Sequence, residues 1–340
     1  MELIPLHSSL RNRVFIAVMT CLLLWMAGYV GVCQQNVSIL FTGDVMLDRG
    51  IRKEISRIGI KRIFMPISRL LQQSNFVVVN LECPATKTSA PQKKGFVFRA
   101  EPEWLRELRA AHISHLNLAN NHSIDQGSQG LASTVDSLLR VGIVPVGCGV
   151  EGLNECDPTV LTTAAGRIVL FSSVQLSLEG WKGSPGKYAP CQSTVEELCR
   201  KIRSYKKSHP GDVVVVCLHW GVEYHISPAK FQRVQAHHLI DSGADALIGH
   251  HPHVFQVVEI YRGRPIFYSL GNLLFDQRDS LTRKGAVVGF LIRSGRIDST
   301  ELYPVVLKHG IPFWARPDES AFLRAALPSD DRTIHVRYSE

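Results

Sequence analysis

Ala246-Leu247-Ile248-Gly249-His250-His251-Pro252-His253-Val254 is the stretch from which the rest of the chain can be read. Ala246-Leu247-Ile248 reads as a buried strand ending at Gly249. In an extended segment successive side chains point to opposite faces, so His251 and His253 would share one. Two imidazoles side by side at the C-terminal edge of a strand make poor core and good metal ligands. A lone surface histidine means little, so the reading depends on what other strand ends carry. Three segments have the same form: Phe41-Thr42-Gly43-Asp44-Val45, Leu118-Ala119-Asn120-Asn121-His122-Ser123 and Cys217-Leu218-His219-Trp220-Gly221. Each follows an apolar run and ends in a group able to ligate a metal. Together they predict a dinuclear metal centre.

Taken in order, the polar groups at strand ends are Asp44, Asn80 with Glu82, Asn121 with His122, His219, then His251 and His253. Open α/β sheets place their sites at this C-terminal edge. A pair of divalent ions needs carboxylates to neutralise charge and neutral N and O donors to complete coordination. Asp44, Glu82, Asn121, His219, His251 and His253 supply both, leaving His122 outside the coordinating set. Ions about 3.5–4 Å apart clamp attacking and leaving oxygens and acidify water.

From Val37 onward strands alternate with helical patterns, and after Val254 the period shifts to strand pairs. Strands are expected over 37–42, 76–81, 113–118, 143–146, 213–218 and 246–248, with helices over 49–58, 102–111, 130–141, 193–207 and 229–242. A hairpin is expected over 159–176. This order implies an α/β protein with mixed sheets. No repeat or low-complexity linker divides the chain. One domain over 36–310 is expected, with a weakly patterned tail over 311–340 that holds a short helix at 321–326.

Residues 14–32 are an essentially apolar stretch preceded by Arg11 and Arg13. Over residues 1–33 the chain reads as a signal peptide or an uncleaved signal anchor. Val30-Gly31-Val32-Cys33 resembles a lipoprotein cleavage box, with Val32 larger than the residue such a box wants. The arginines hold the N-terminus inside, so the body is expected outside the cytoplasmic membrane, anchored to it or released. Formal net charge is +8, which suits anionic partners. The basic residues are scattered, short clusters such as Lys93-Lys94 apart, and no aromatic-interleaved stripe points to nucleic acid. The cysteines, absent from any CxxC pair, argue against a thiolate zinc site; the spacings of Cys148 with Cys156 and Cys191 with Cys199 permit disulfides without fixing connectivity.

Several blocks in fixed order carry a family resemblance: Gly43-Asp44-Val45-Met46-Leu47, Asn80-Leu81-Glu82, Phe98-Arg99-Ala100, Ala119-Asn120-Asn121-His122-Ser123 with Asp125 and Gly127, His219-Trp220-Gly221-Val222-Glu223-Tyr224, Gly249–His253 and Tyr268-Ser269-Leu270-Gly271-Asn272. They resemble the capsule-synthesis CapA family, associated with poly-γ-glutamate capsules, within the calcineurin-like metallophosphoesterase fold. The resemblance implies a four-layer α/β/β/α sandwich with two mixed sheets. It implies divalent ions (Mn, Zn or Fe) at two sites, with an anionic polymer or phosphoester as substrate and capsule synthesis or export proteins as partners. Carried over by position, Asp44 stands as the first-strand aspartate and Glu82 in place of the bridging aspartate. Asn121 stands as the amide ligand and His122 as the acid or phosphate-contacting histidine. His219 and His251 resemble ligands of one ion, and His253 of the other. Where the phosphoesterase pattern has a histidine two residues after its first aspartate, this chain has Met46. An enzyme and a non-catalytic component gripping an anionic polymer both fit.

Other polar residues have plainer readings beside the functional ones. Asp48 reads as a helix cap or as a substitute ligand. Arg99 could grip a phosphate or carboxylate, or lie exposed. Glu223 and Tyr224 follow His219 closely enough to reach substrate, although Tyr224 could simply pack over the site. His250 reads as structural, and Asn272 beside Gly271 as site residue or turn chemistry.

Overall fold

The first four strands are laid down side by side in chain order. β1 (Val37–Val45), β2 (Phe76–Leu81), β3 (His115–Asn117) and β4 (Val144–Val146) are parallel neighbours. The next six, β5 (Thr159–Thr163), β6 (Gly166–Val174), β7 (Val213–His219), β8 (Ala246–His250), β9 (Val258–Tyr261) and β10 (Arg264–Phe267), form a second sheet in the order β5-β6-β7-β8-β10-β9. The chain then returns to the first sheet. On the edge of β1 opposite β2, β11 (Asn272–Leu274) lies parallel to β1's end, while β12 (Lys284–Arg293), β13 (Arg296–Lys308) and β14 (Ile311–Trp314) extend the sheet antiparallel, and β15 (Ile334–Val336) pairs with β13. This computed structural model describes residue 19 and residues 36–149, 154–181, 188–329 and 333–338.

Side-chain alternation sets the layers. On β7, Val213, Val215 and Cys217 face a core between the sheets, whereas Val214, Val216 and Leu218 face helices Val195–Ser208 and Lys230–Asp241. On β1, Ile39 and Phe41 enter the inter-sheet core and Leu40 the opposite one, where helices Arg49–Ile58 and Gly127–Arg140 pack. Helix, sheet, sheet and helix therefore stack as the four-layer α/β/β/α sandwich that the resemblance implied. Both sheets are mixed.

Local signals account for most boundaries. Asp48 caps Arg49–Ile58, its carboxylate accepting the Arg49 N–H at 2.8 Å, which is the plainer of its two readings. Thr194 and Glu197 form a capping box before Val195–Ser208. The helical turns Ile60–Phe64, Met65–Ile67 and Ser68–Gln73 are absent from the sequence reading, because Gly59 and Pro66 break the periodicity into pieces shorter than a pattern can show. The segment read as a tail from 311 contributes β14 and β15 to the sheet, and its helix runs Ala321–Ala326. Residues Asn36–Glu340 cluster as one compact unit. The disulfide joins Cys156 to Cys191, neither of the two spacings considered, and Cys148 and Cys199 are buried thiols. The apolar 14–32 run, Met19 aside, lies outside the described residues. Among the described residues no helix is long and apolar enough to cross a membrane.

Gly249 is where two strands demand glycine. A Cβ there would lie 1.9 Å from the Tyr268 carbonyl oxygen and 2.8 Å from Trp220 Nε1. Gly249→Ala is therefore expected to cost about 3 kcal/mol or more, since backbone cannot step aside as a side chain can. Urea unfolding of the variant checks it; a loss below about 1 kcal/mol would contradict the close packing described.

Candidate metal centre

Five strand ends from both sheets meet at one point. Asp44 sits near the end of β1, in register with Asn80 on β2 and Asn272 on β11. Glu82 follows β2, Asn121 and His122 lie in the loop after β3, His219 ends β7, and His251 and His253 follow β8. The convergence of His251 and His253 does not come from extended alternation, as the sequence reading had it. Their φ angles are +100° and +58°, so a turn around Pro252 aims the two imidazoles. Non-glycine residues rarely hold such values, and the strain is stored where the functional groups are.

The ligand atoms fall into two groups. Those of Glu82, His219 and His251 lie within 4.8 Å of one another, and so do those of Asp44, Glu82 and His253. Glu82 belongs to both. Its Oε1 stands 3.8 Å from His219 Nε2 and 3.7 Å from His253 Nε2. Asn121 Oδ1 is 2.9 Å from His219 Nε2, which adds the amide to the first group.

Glu82 tests whether these residues fit metal ions. It is fully buried, and neither carboxylate oxygen accepts a hydrogen bond. A buried carboxylate without donors is costly unless a cation compensates it. Imidazoles surround it on two sides, and His251 Nδ1 is likewise without a partner. The donor set suits borderline divalent ions such as zinc, manganese or iron. The residues fit.

Neighbouring groups orient the ligands. Asn80 donates to Asp44 Oδ1 at 2.8 Å, and the His253 Nδ1 edge lies 3.0 Å from Asn272 Oδ1 and 3.3 Å from Asp44 Oδ2. Asn272 is thus an orienting residue of the site. His250 turns the other way, its Nε2 2.9 Å from the Thr42 carbonyl, which is structural. Met46 is fully buried in the helix-side core, and its sulfur accepts the Asp48 N–H.

His122 stands at the edge of a cleft of about 570 Å³ that Asn121, Glu223 and His251 also line. Its Nδ1 is 2.8 Å from Asp125 Oδ2, and its ring stacks on Phe98 with centroids 4.3 Å apart. Lys94, noted in the sequence only as half of a basic pair, has its side chain buried here. Its Nζ lies 2.5 Å from Asp125 Oδ1 and donates to the Asn121 carbonyl at 2.8 Å. No sequence signal marks it, because its burial arises when the 83–98 loop folds over the 118–125 loop. Tyr224 is more than half exposed; its ring is 6.3 Å from that of His253 and its hydroxyl accepts from Gln277. Arg99 is half-buried, its backbone N–H donating to Asp48 and its carbonyl accepting from Arg52; no contact joins its side chain to the centre among the described residues.

Burial governs the charges. It drives the Glu82 carboxyl well above the ordinary range and pushes His251 down to about 3, with His219 also well below its usual value. Burial opposes charge on Asp44 and His253 too, but each offsets that for the other. Asp44 stays below the usual carboxylate range, and Glu82 and Asp44 lift His253 to about 9. His122 is lowered by burial, against the pull of Asp125.

Residues 38–277 match the family model described as Bacterial capsule synthesis protein PGA_cap. The chain belongs to this family. Within it, the chain is 30% identical over 286 residues to "Capsule biosynthesis protein CapA" of Bacillus anthracis, covering 82% of this chain and 69% of that protein. It is 30% identical over 285 residues to "PGA biosynthesis protein CapA" of Bacillus subtilis, covering 83% and 74%. Among solved structures, Haemophilus influenzae NAD nucleotidase aligns with a TM-score of 0.49 at 12% identity, over 90% of this chain and 65% of that one. A likeness that distant does not inform the chemistry.

Proposed function

We propose that this capsule-synthesis family member is an extracytoplasmic, membrane-attached protein whose two-ion centre hydrolyses a phosphoester during assembly or export of an anionic capsule polymer such as poly-γ-glutamate. The buried Glu82 carboxylate, unpartnered and shared by two ligand groups, carries this reading. His219, His251, Glu82 and Asn121 would hold one ion, and Asp44, Glu82 and His253 the other. When bound, paired divalent ions neutralise phosphoryl charge and make water more acidic. Asp125 fixes His122 through Nδ1, so Nε2 is the nitrogen free to contact phosphoryl oxygens or protonate a leaving group. Glu223 and Tyr224 stand at the mouth where substrate would enter. Capsule synthesis or export proteins would be the partners.

A screen of phosphomonoesters and phosphodiesters, run on full-length protein purified without chelator, tests the reading. Metal-dependent turnover is expected. The second reading, a metal-dependent component that grips an anionic polymer without chemistry, is favoured by Met46, whose side chain is committed to the core where a hydrolase of this fold would place a ligand. Metal without turnover would select it.

Topology is separately testable. A reporter enzyme active only outside the cytoplasm, fused after Glu340, is expected to be active, because Arg11 and Arg13 precede the apolar run. Activity only of a cytoplasmic reporter would refute the assignment.

A further inference from the structure

Lys94 brings a buried charge to the edge of the centre that the chemistry argued above does not use. Its neighbour Lys93 is exposed, whereas the Lys94 side chain is 3% exposed and its partner Asp125 is wholly buried. Lysine is almost never buried to this degree unless it is paired.

The ammonium reaches three groups of one short loop. Nζ lies 2.5 Å from Asp125 Oδ1, donates to the Asn121 carbonyl at 2.8 Å and stands 3.4 Å from His122 Nδ1. That ring nitrogen is closer to Asp125 Oδ2, at 2.8 Å, so the carboxylate takes its hydrogen. The Asn121 carbonyl belongs to the peptide that joins Asn121 to His122. One of the two flanking side chains meets His219 in the centre, and the other lines the cleft. Lys94 therefore grips both the peptide between these side chains and the carboxylate that orients the second of them.

Attachment of the 83–98 loop does not require this ion pair. The Gln92 N–H donates to the Asp125 carbonyl at 2.9 Å, and the Phe98 N–H to Asp125 Oδ2 at 2.7 Å. The Ala90 N–H donates to Gln126 Oε1 at 3.0 Å, and Gln126 Nε2 to the Phe98 carbonyl at 3.2 Å. A buried ion pair adds little net stability once both charges have left water. What it supplies here is direction: an ammonium on Oδ1 fixes the carboxylate with Oδ2 on His122 Nδ1. Burial keeps Nζ from substrate, so its effect runs through His122.

We propose that Lys94 is a positioning residue for His122. It locks the Asp125 carboxylate and the peptide after Asn121, so that His122 presents Nε2 to the cleft while Asn121 stays on the metal side. The proposal rests on the acid–base role of His122 argued above.

The test combines nitrogen NMR of full-length protein carrying ¹⁵N-labelled histidine with steady-state kinetics and metal analysis. His122→Asn identifies the His122 signal among the 14 histidines. Wild type is expected to show one slowly exchanging Nδ1–H signal for His122, and Lys94→Met to lose it. The same variant should lower kcat by about 10–100-fold, with KM and metal content unchanged. In a His122→Asn background Lys94→Met should cost nothing further, because a residue that acts through His122 has nothing left to position. Lys94→Met leaves a buried carboxylate uncompensated, so urea unfolding accompanies each measurement. If it fails to fold, Lys94→Gln, which keeps a donor without the charge, decides by the same changes at smaller size. An unchanged His122 Nδ1–H signal in the folded variants overturns the proposal. So does an equal cost of Lys94→Met with and without His122, the mark of a purely structural role. A metal-loaded wild type that turns over no phosphoester would remove the hydrolytic reading, and the histidine signal alone would then decide the role of Lys94.

Discussion

Glu82→Gln should strip the protein of bound metal, lowering affinity by more than about 100-fold, because one substitution removes a charged ligand from both groups at once. His251→Ala, which touches only one group, should leave part of the metal in place. The ion-free proteins should behave in the opposite sense. Glu82 is a buried carboxylate without a donor, so its amide replacement should leave ion-free stability unchanged or raised. Metal analysis of both variants, paired with chemical unfolding in chelator, checks the two halves together. Equal metal retention in wild type and Glu82→Gln would refute the shared-ligand geometry. The pH dependence follows from His253. Its folded value is raised to about 9, so below that pH the ion-free imidazole carries a proton that a metal must displace. Metal affinity should therefore rise as pH increases towards 9 and fall in acid. An affinity that is flat with pH would contradict this.

His122→Asn should reduce phosphoester turnover by about 10²–10⁴ while metal content stays near wild type, the signature of lost acid–base assistance. The geometry supports the separation. His122 is held by Asp125 and Phe98, and neither ligand group includes it. Kinetics and metal analysis on the same preparation decide it. A variant that loses metal along with activity would make His122 a ligand, and unchanged turnover would remove it from the chemistry.

Much of the centre was legible because parallel strands buried on both faces read as continuous apolar runs. Ligating residues that close such a run then fall at the C-terminal edge. Asp44, Glu82 and His219 were visible in this way. The roles of Asn272 and Lys94 were not. Asn272 has the same sequence surroundings as an ordinary turn asparagine, and only pairing of β11 with β1 brings it to His253. Lys94 is buried by contact between two loops, which no periodicity encodes. The His251-Pro252-His253 turn was legible in its residues and misread in its conformation, since left-handed φ values at histidine are set by the surrounding fold. β14 and β15 escaped for a related reason: they are short, and their partner β13 carries the pattern.

The shared carboxylate is the central claim, and anomalous X-ray scattering addresses it directly. Crystals of the full-length protein grown with manganese or zinc should give two anomalous peaks flanking Glu82, one beside His219 and His251 and one beside Asp44 and His253. No peak at Glu82, or a peak lying only elsewhere, would contradict the account.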